Sequence, residues 1–130
     1  MQKPRALRPG DRLAVVAPAS AFNRDEFDAG LAEIRALGLT PVYDDSVFAR
    51  GRHDYVAGPP EVRAAALRSA WRDASIAGIV AVRGGFGSAQ VLPLLDPREI
   101  VRAAKPFIGY SDLTAMLTFL TLQCGLVAFH

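Results

Sequence analysis

Short apolar runs alternate along the chain with longer segments whose apolar residues recur at helical spacing. Residues 13–17 form a continuous apolar run that ends at Pro18, which is typical of a buried strand. In residues 23–37 the side chains of Phe27, Leu31 and Ile34 fall on one stripe, which predicts an amphipathic helix. The same criteria predict strands at 13–17, 41–43, 76–82, 106–109 and 126–129, and helices at 23–37, 61–74, 88–95, 97–104 and 112–123.

This alternation of strands and helices predicts an α/β fold. We expect a parallel sheet of about five strands with helices on both faces, a three-layer sandwich of the Rossmann or flavodoxin-like kind. Residues 44–58 are predicted as a long polar loop, which in a compact domain is more often functional than not. Ligands of such sheets bind at the carboxyl ends of the strands, so candidate chemistry is expected there.

Two features near the end of the sequence predict that further protein covers this region. The helix after Ser111 carries apolar residues nearly all round, which is typical of a helix buried on every side. The sequence also stops at His130, directly after an apolar strand. We expect a longer parent chain, with an oligomer as the alternative.

The composition excludes several classes of protein. With 130 residues, 51% apolar and 22% charged, the chain can bury a core and is not disordered. A net charge of +2 is too small to indicate a nucleic-acid partner. No apolar run approaches the roughly 20 residues of a membrane span. The single Cys124 cannot form an internal disulfide, and these features together favour a cytoplasmic protein with no membrane partner.

The ends of the first and third strands each offer candidate binding groups. Gly84, Gly85 and Gly87 follow the third strand and either direct backbone N–H groups at an anion or oxyanion, or simply form a tight turn. Arg83 either pairs with a substrate carboxylate or is solvated. Ser20, after the first strand, either lines a pocket or caps a turn. The spacing fits neither the dinucleotide fingerprint nor the P-loop.

The end of the fourth strand carries a candidate nucleophile. Ser111 lies between a predicted strand and a predicted helix, which is the layout of a nucleophile elbow. The N–H of Asp112 is then placed to donate to an oxyanion. The alternative is that Ser111 is an ordinary helix N-cap, with Asp112 favourable in the first turn.

A nucleophilic serine needs a base, and the sequence supplies no complete triad. His53 lies in a charged loop and is expected to be solvated, whereas His130 is the last residue and has no evident orienting acid. With one cysteine and two scattered histidines, no metal ligand cluster is indicated.

Six short segments, taken together and in order, resemble the N-terminal part of the serine LD-carboxypeptidases, the muramoyltetrapeptide carboxypeptidase family. The resemblance covers nearly the whole chain. It depends on LRPGD at 7–11, VVAPAS at 15–20, YVAG at 55–58, RGGFG at 83–87, IGYSDLT at 108–114 and FH at 129–130.

This resemblance implies a Ser–His–Glu hydrolase without a cofactor. Ser111 matches the nucleophile, and the N–H groups of Asp112 and Gly85, preferred over Gly84, match the oxyanion hole. The Glu and His of the triad lie in a C-terminal domain of the family, so residues 1–130 are expected to be the nucleophile domain of a two-domain hydrolase. His130 does not align with the catalytic histidine.

The implied substrate is a murein peptide, from which a terminal D-alanine is removed during peptidoglycan recycling in the bacterial cytoplasm. Candidate substrate contacts are Arg83, Gly84, Tyr110 and Ser20. A homodimer is expected of the parent protein, and the chain by itself is expected to be inactive.

Two alternatives remain open. One is a relative of the same family that cleaves toxic peptidyl-nucleotides and confers self-immunity. The other is a non-catalytic α/β module that binds an anion at the glycine-rich turn.

Overall fold

The computed structural model describes residues 1–50 and 55–130 and contains a parallel sheet with helices on both faces. Within these residues the sheet has four strands in the order β2-β1-β3-β4. Strand β1 is Arg12–Val16, β2 is Thr40–Val42, β3 is Ile76–Ala81 and β4 is Phe107–Ile108. All three strand pairs are parallel, so the carboxyl ends of the strands lie along one edge of the sheet. The predicted α/β architecture is therefore confirmed.

The prediction of a fifth strand at 126–129 is wrong for the described residues. This segment divides its backbone N–H donors among three partners, because Leu126 donates to Leu120, Val127 to Gln2 and Phe129 to Phe107. Leu126 and Phe129 consequently form only isolated parallel bridges, and no continuous ladder is established.

The helices begin and end where local chemistry favours it. Helix α1, Arg24–Ala36, is capped by Asn23, whose side-chain oxygen accepts from the N–H groups of Asp25 and Glu26. Its end is followed by Gly38 at φ +81°, a conformation that glycine adopts without steric cost. Helix α2, Pro60–Arg72, begins with proline, whose missing N–H has no partner in a first turn. Helix α3 is Pro97–Ala103 and helix α4 is Thr114–Leu122.

Within the described residues, three short 3₁₀ helices stand where the sequence predicts a loop or an ordinary helix. One, Asp45–Phe48, lies inside the predicted loop, of which residues 51–54 fall outside the described residues. A second, Ser88–Leu94, contains Pro93, which cannot donate an i→i−4 hydrogen bond, and it stands where an ordinary helix was predicted. The third, Ser111–Leu113, precedes α4.

The side chains of β1 alternate between the two faces of the sheet and so enter two separate cores. Ala14 and Val16 pack with α2, α3 and α4, in a core where Trp71 stacks on Phe107 with ring centroids 5.7 Å apart. Val15 packs on the other face, with α1 and the Asp45–Phe48 helix.

Helix α4 is only partly buried by the described residues, and the expectation that further protein covers it stays a prediction. Met116 and Leu120 are fully buried against the larger core, but Leu122 is 73% exposed. Among the described residues no helix is both long and apolar enough to cross a membrane.

Candidate functional site

Ser111 occupies the turn that leads from β4 into α4, and its backbone is left-handed there. Its φ is +57°, which is uncommon for a residue with a Cβ, while Tyr110 before it is extended. The described structure gives the Ser111 hydroxyl no hydrogen-bond partner and no capping contact at the start of α4. Ser111 is exposed. An N-cap role therefore does not account for this serine, and its hydroxyl is available at the surface of the sheet edge.

The glycine-rich turn after β3 lies directly against Ser111. A Cβ placed on Gly84 would come within 2.8 Å of the Ser111 Cβ, 2.9 Å of the Tyr110 carbonyl oxygen and 3.0 Å of the Asp112 nitrogen. No side chain fits in this space. The absence of a side chain at Gly84 thus allows the ends of β3 and β4 to meet.

Gly85 continues this turn with φ +93°, and it lies over Ser20. A Cβ at Gly85 would lie 2.0 Å from the Ser20 Oγ. Ser20 itself is 3% exposed, and its Oγ accepts a hydrogen bond of 2.9 Å from the N–H of Phe86. The buried Ser20 hydroxyl thus stabilises the glycine-rich turn through a hydrogen bond. Its predicted contact with substrate stays a prediction.

Asp112 connects the turn at Ser111 to Ser88, the residue that follows the glycine-rich turn. Its Oδ2 accepts from the N–H of Ser88 at 2.9 Å, and its carbonyl oxygen accepts from the Ser88 Oγ at 2.7 Å. Ser88 is fully buried. The carboxylate of Asp112 is therefore engaged within the protein, which leaves its backbone N–H as the group of interest beside Ser111.

Arg63 is a buried residue of this site that the sequence analysis does not identify. Its side chain is 2% exposed and donates to the carbonyl oxygens of Pro18, Gly58 and Gly87. Burial lowers the pKa of Arg63, while the charges of Glu61 and Asp112 act in the opposite direction. One signal was present in the sequence, because Arg63 lies four and eight residues before Leu67 and Trp71, on the apolar stripe of α2.

Exposed side chains surround the serine turn. Tyr55, Phe86 and Tyr110 are 60%, 56% and 53% exposed. Arg83 is also exposed, with Nη1 3.4 Å from the carbonyl oxygen of Ala21. Arg83 and Tyr110 together line one edge of a groove of about 480 Å³ that continues along α1.

Of the two histidines, only His130 lies in the described residues, and it supplies no base for Ser111 there. His130 is exposed and makes no hydrogen bond or ion pair with any residue in the described ranges. His53 lies outside the described residues. In the part of the chain that the structure describes, no three His, Cys, Asp or Glu side chains are grouped closely enough to hold a metal ion.

The fold and site together define an α/β protein that presents a serine at a strand-to-helix turn, next to a glycine-rich turn. Comparison of the sequence with known protein families identifies the family of this chain. Residues 13–130 match the family profile of the LD-carboxypeptidase N-terminal domain. The chain therefore belongs to the LD-carboxypeptidase family, as its motifs predict.

Individual relatives agree with this assignment. A Streptomyces coelicolor protein whose name describes a carboxypeptidase is 40% identical over 98% of this chain and 42% of its own length. The murein tetrapeptide carboxypeptidase of Pseudomonas aeruginosa is 34% identical over 92% of this chain and 38% of its own length. This chain thus spans about two fifths of the length of these curated relatives.

A solved structure with the same fold is that of the microcin C7 self-immunity protein MccF in complex with adenosine monophosphate. It is similar to this chain with a TM-score of 0.88 and 25% identity, over 96% of this chain and 38% of its own.

Proposed function

We propose that this chain is the nucleophile domain of a serine carboxypeptidase that removes the terminal D-alanine of murein tetrapeptides. The observation that carries the proposal is Ser111, held in a left-handed turn against Gly84 with its hydroxyl unbonded and exposed. The left-handed conformation costs a residue with a Cβ roughly 1–2 kcal/mol, whereas glycine adopts it freely. A serine at this position is therefore accounted for by the chemistry of its hydroxyl.

The proposed reaction starts at the Ser111 hydroxyl. Its Oγ attacks the carbonyl carbon of the amide before D-alanine, and its proton passes to a base. The N–H groups of Asp112 and Gly85 are proposed to donate to the resulting oxyanion. When the carbon–nitrogen bond breaks, D-alanine leaves with a proton on its nitrogen and the peptide remains as an ester of Ser111. Water then hydrolyses the ester and regenerates the serine.

The base is proposed to come from a C-terminal domain that carries the His and Glu of the triad. The described residues hold no histidine bonded to Ser111, and the curated relatives are more than twice as long as this chain. On this proposal the isolated chain is inactive. The parent protein is further proposed to act as a cytoplasmic homodimer in peptidoglycan recycling, without a cofactor.

Arg83 and Tyr110 are proposed to receive the C-terminal carboxylate of the peptide. Both are exposed and line the groove along α1, and Tyr110 is the residue before Ser111. A guanidinium forms paired hydrogen bonds with a carboxylate, which suits an enzyme that recognises a free chain end.

The test measures D-alanine release from a diaminopimelate tetrapeptide. The substrate is given to this chain alone, and to this chain with the downstream region that the longer relatives carry. Release is expected only when both parts are present. Ser111→Ala is expected to lower that rate at least about 10³-fold. Ser69→Ala, on the exposed surface of α2, is the matched control and keeps the rate.

Three results would count against the proposal. Release by this chain alone would require a base among its own residues. Full turnover by Ser111→Ala would remove the nucleophile assignment. Hydrolysis of a peptidyl-nucleotide in place of the tetrapeptide would favour an immunity-type enzyme.

A further inference from the structure

Arg63 occupies the first turn of α2, yet its side chain lies under the candidate site instead of in solvent. We propose that Arg63 is a positioning residue, which fixes the glycine-rich turn in the geometry needed for oxyanion binding. This inference rests on the proposed function, because it assigns Arg63 a role in the turnover of Ser111. Arg63 itself is not proposed to touch substrate.

The hydrogen bonds of Arg63 join three segments that are distant in sequence. Its Nη1 donates to the carbonyl oxygens of Pro18 and Gly87, each at 2.8 Å. Its Nε donates to the Gly58 carbonyl oxygen at 2.9 Å, and Nη2 donates to the Gln90 Oε1. The guanidinium therefore ties the end of β1, the start of α2 and the glycine turn to one rigid group.

Each end of the glycine turn depends on one of these bonds. At the start of the turn, the segment that Arg63 holds at Pro18 carries Ser20, whose N–H donates to the Gly84 carbonyl oxygen and whose Oγ accepts from the Phe86 N–H. At the end of the turn, Arg63 holds the carbonyl of Gly87, and the N–H of the same peptide unit, from Ser88, binds the Asp112 carboxylate. The peptide unit that joins Gly84 to Gly85 and carries the Gly85 N–H is held at the first of these points, and Gly84 lies against Ser111.

The chemistry of this site requires arginine and not merely a positive charge. The guanidinium has five N–H donors in one plane, so it can bind acceptors in three directions without bending. A lysine ammonium places all of its donors on a single nitrogen atom. It therefore cannot reach Pro18, Gly58 and Gly87 from one position with the same geometry. The partners are neutral carbonyls and an amide, so the attachment does not depend on a partner that titrates.

The test replaces Arg63 by lysine in the active protein that contains this chain, with Arg68→Lys as the matched control on the same helix. Arg63→Lys is expected to lower kcat about 10- to 100-fold with little change in KM, because a displaced oxyanion donor affects the transition state more than substrate binding. The amide ¹H–¹⁵N resonances of Gly85, Phe86 and Asp112 are expected to shift in Arg63→Lys and not in Arg68→Lys.

A milder variant keeps the test decisive if Arg63→Lys does not fold. Gln90→Leu removes one partner of Arg63 at an exposed position, and it is expected to lower kcat a few-fold while the protein stays folded. Unchanged kcat and unchanged amide resonances in the folded Arg63→Lys variant would overturn the inference, even if its melting temperature fell. If Arg63→Lys does not fold, unchanged kcat in Gln90→Leu would overturn it instead.

Failure of this inference can be distinguished from failure of the proposed function. If Ser111→Ala abolishes turnover and Arg63→Lys leaves it intact, only the role of Arg63 is wrong. If Ser111→Ala retains turnover, the proposed function itself is wrong.

Discussion

Helix α2 holds arginines in two environments, which differ in burial and in the groups that the guanidinium binds. Arg63, at the start of the helix, is buried and bound to neutral backbone carbonyls. Arg68 and Arg72, further along the helix, have side chains 38% and 57% exposed, and both pair with Glu99 of α3. The first environment holds loops at the carboxyl edge of the sheet, and the second joins two helices at the surface. Burial and partners, not the charge, therefore determine what each arginine contributes.

Arg68, Arg72 and Glu99 form an exposed ion-pair cluster, called the surface cluster below, and they change the pKa of Glu99. Hydrogen bonds from Arg68, which has the larger effect, and from Arg72 lower the pKa of Glu99 from 4.5 to about 2. The Nε of Arg68 lies 3.2 Å from one Glu99 oxygen, and the Nε of Arg72 lies 2.9 Å from the other. Such exposed pairs are screened by solvent and salt, so their contribution to stability is small.

The largest expected effect is the loss of the buried arginine side chain. Arg63→Met leaves the carbonyls of Pro18 and Gly58 without their donor and removes one of the two donors to Gly87, and an unsatisfied buried acceptor costs about 1–3 kcal/mol. We expect the free energy of unfolding to fall by at least about 3 kcal/mol. Urea denaturation measures this change. Arg68→Met is the control, and an equally large loss in that variant would contradict the comparison.

The next largest effect on stability is expected from substitution of Gly87, whose carbonyl oxygen accepts a hydrogen bond from Arg63. Gly87 has φ +109°, and a Cβ there would lie 3.0 Å from Val56 Cγ1 and 3.2 Å from Arg63 Nη1. Gly87→Ala is therefore expected to lower the free energy of unfolding by about 1–2 kcal/mol. Gly30→Ala is the control, because Gly30 is an exposed helical residue with open space around its Cα. It is expected to raise stability by about 0.5–1 kcal/mol.

These two glycine substitutions are measured by thermal unfolding under the same conditions. Changes of opposite sign are expected. If Gly87→Ala is as stable as the unchanged chain, the turn is not held rigidly by the contacts described above.

The smallest expected effect is a pH dependence at the surface cluster. Because the folded-state pKa of Glu99 is depressed, its stabilising contribution is present above about pH 4.5 and is lost as the pH falls towards 2. The stability difference between the unchanged chain and Glu99→Gln is therefore expected to be constant near neutral pH and to shrink below pH 4.5. Unfolding curves between pH 2 and pH 7 check this, and a difference that grows on acidification would contradict it.

The sequence predicts the frame of this fold because the frame depends on local patterns. The apolar runs at 13–17 and 76–82 became β1 and β3, and the stripe through Phe27 and Leu31 became the buried side of α1. The glycine-rich and serine turns were predicted at strand ends, and parallel strands bring such ends to one edge. The meeting of Gly84 with Ser111 follows from that topology.

The connections that hold the site together could not be predicted in the same way. Arg63 and the Ser88 hydroxyl donate to backbone carbonyls of segments far along the chain, and the sequence does not reveal which carbonyl a side chain will bind. Ser20 likewise accepts from the N–H of Phe86, a backbone partner that the sequence does not reveal. The fifth strand was predicted from an apolar run, but strand formation also needs a continuous partner, which residues 126–129 lack in the described structure.

Trp71 provides an intrinsic fluorescence signal from the larger core. It is the single tryptophan of the chain, it is 1% exposed, and it stacks on Phe107 beneath the sheet. The three tyrosines all lie at exposed positions, among them Tyr55 and Tyr110 at the rim of the candidate site. Selectively excited tryptophan emission therefore follows the opening of the larger core, whereas the tyrosine signals come from exposed side chains, of which Tyr43 also packs against Phe27 and Phe48. Unfolding of the core and rearrangement of the site can thus be observed separately in the unlabelled protein.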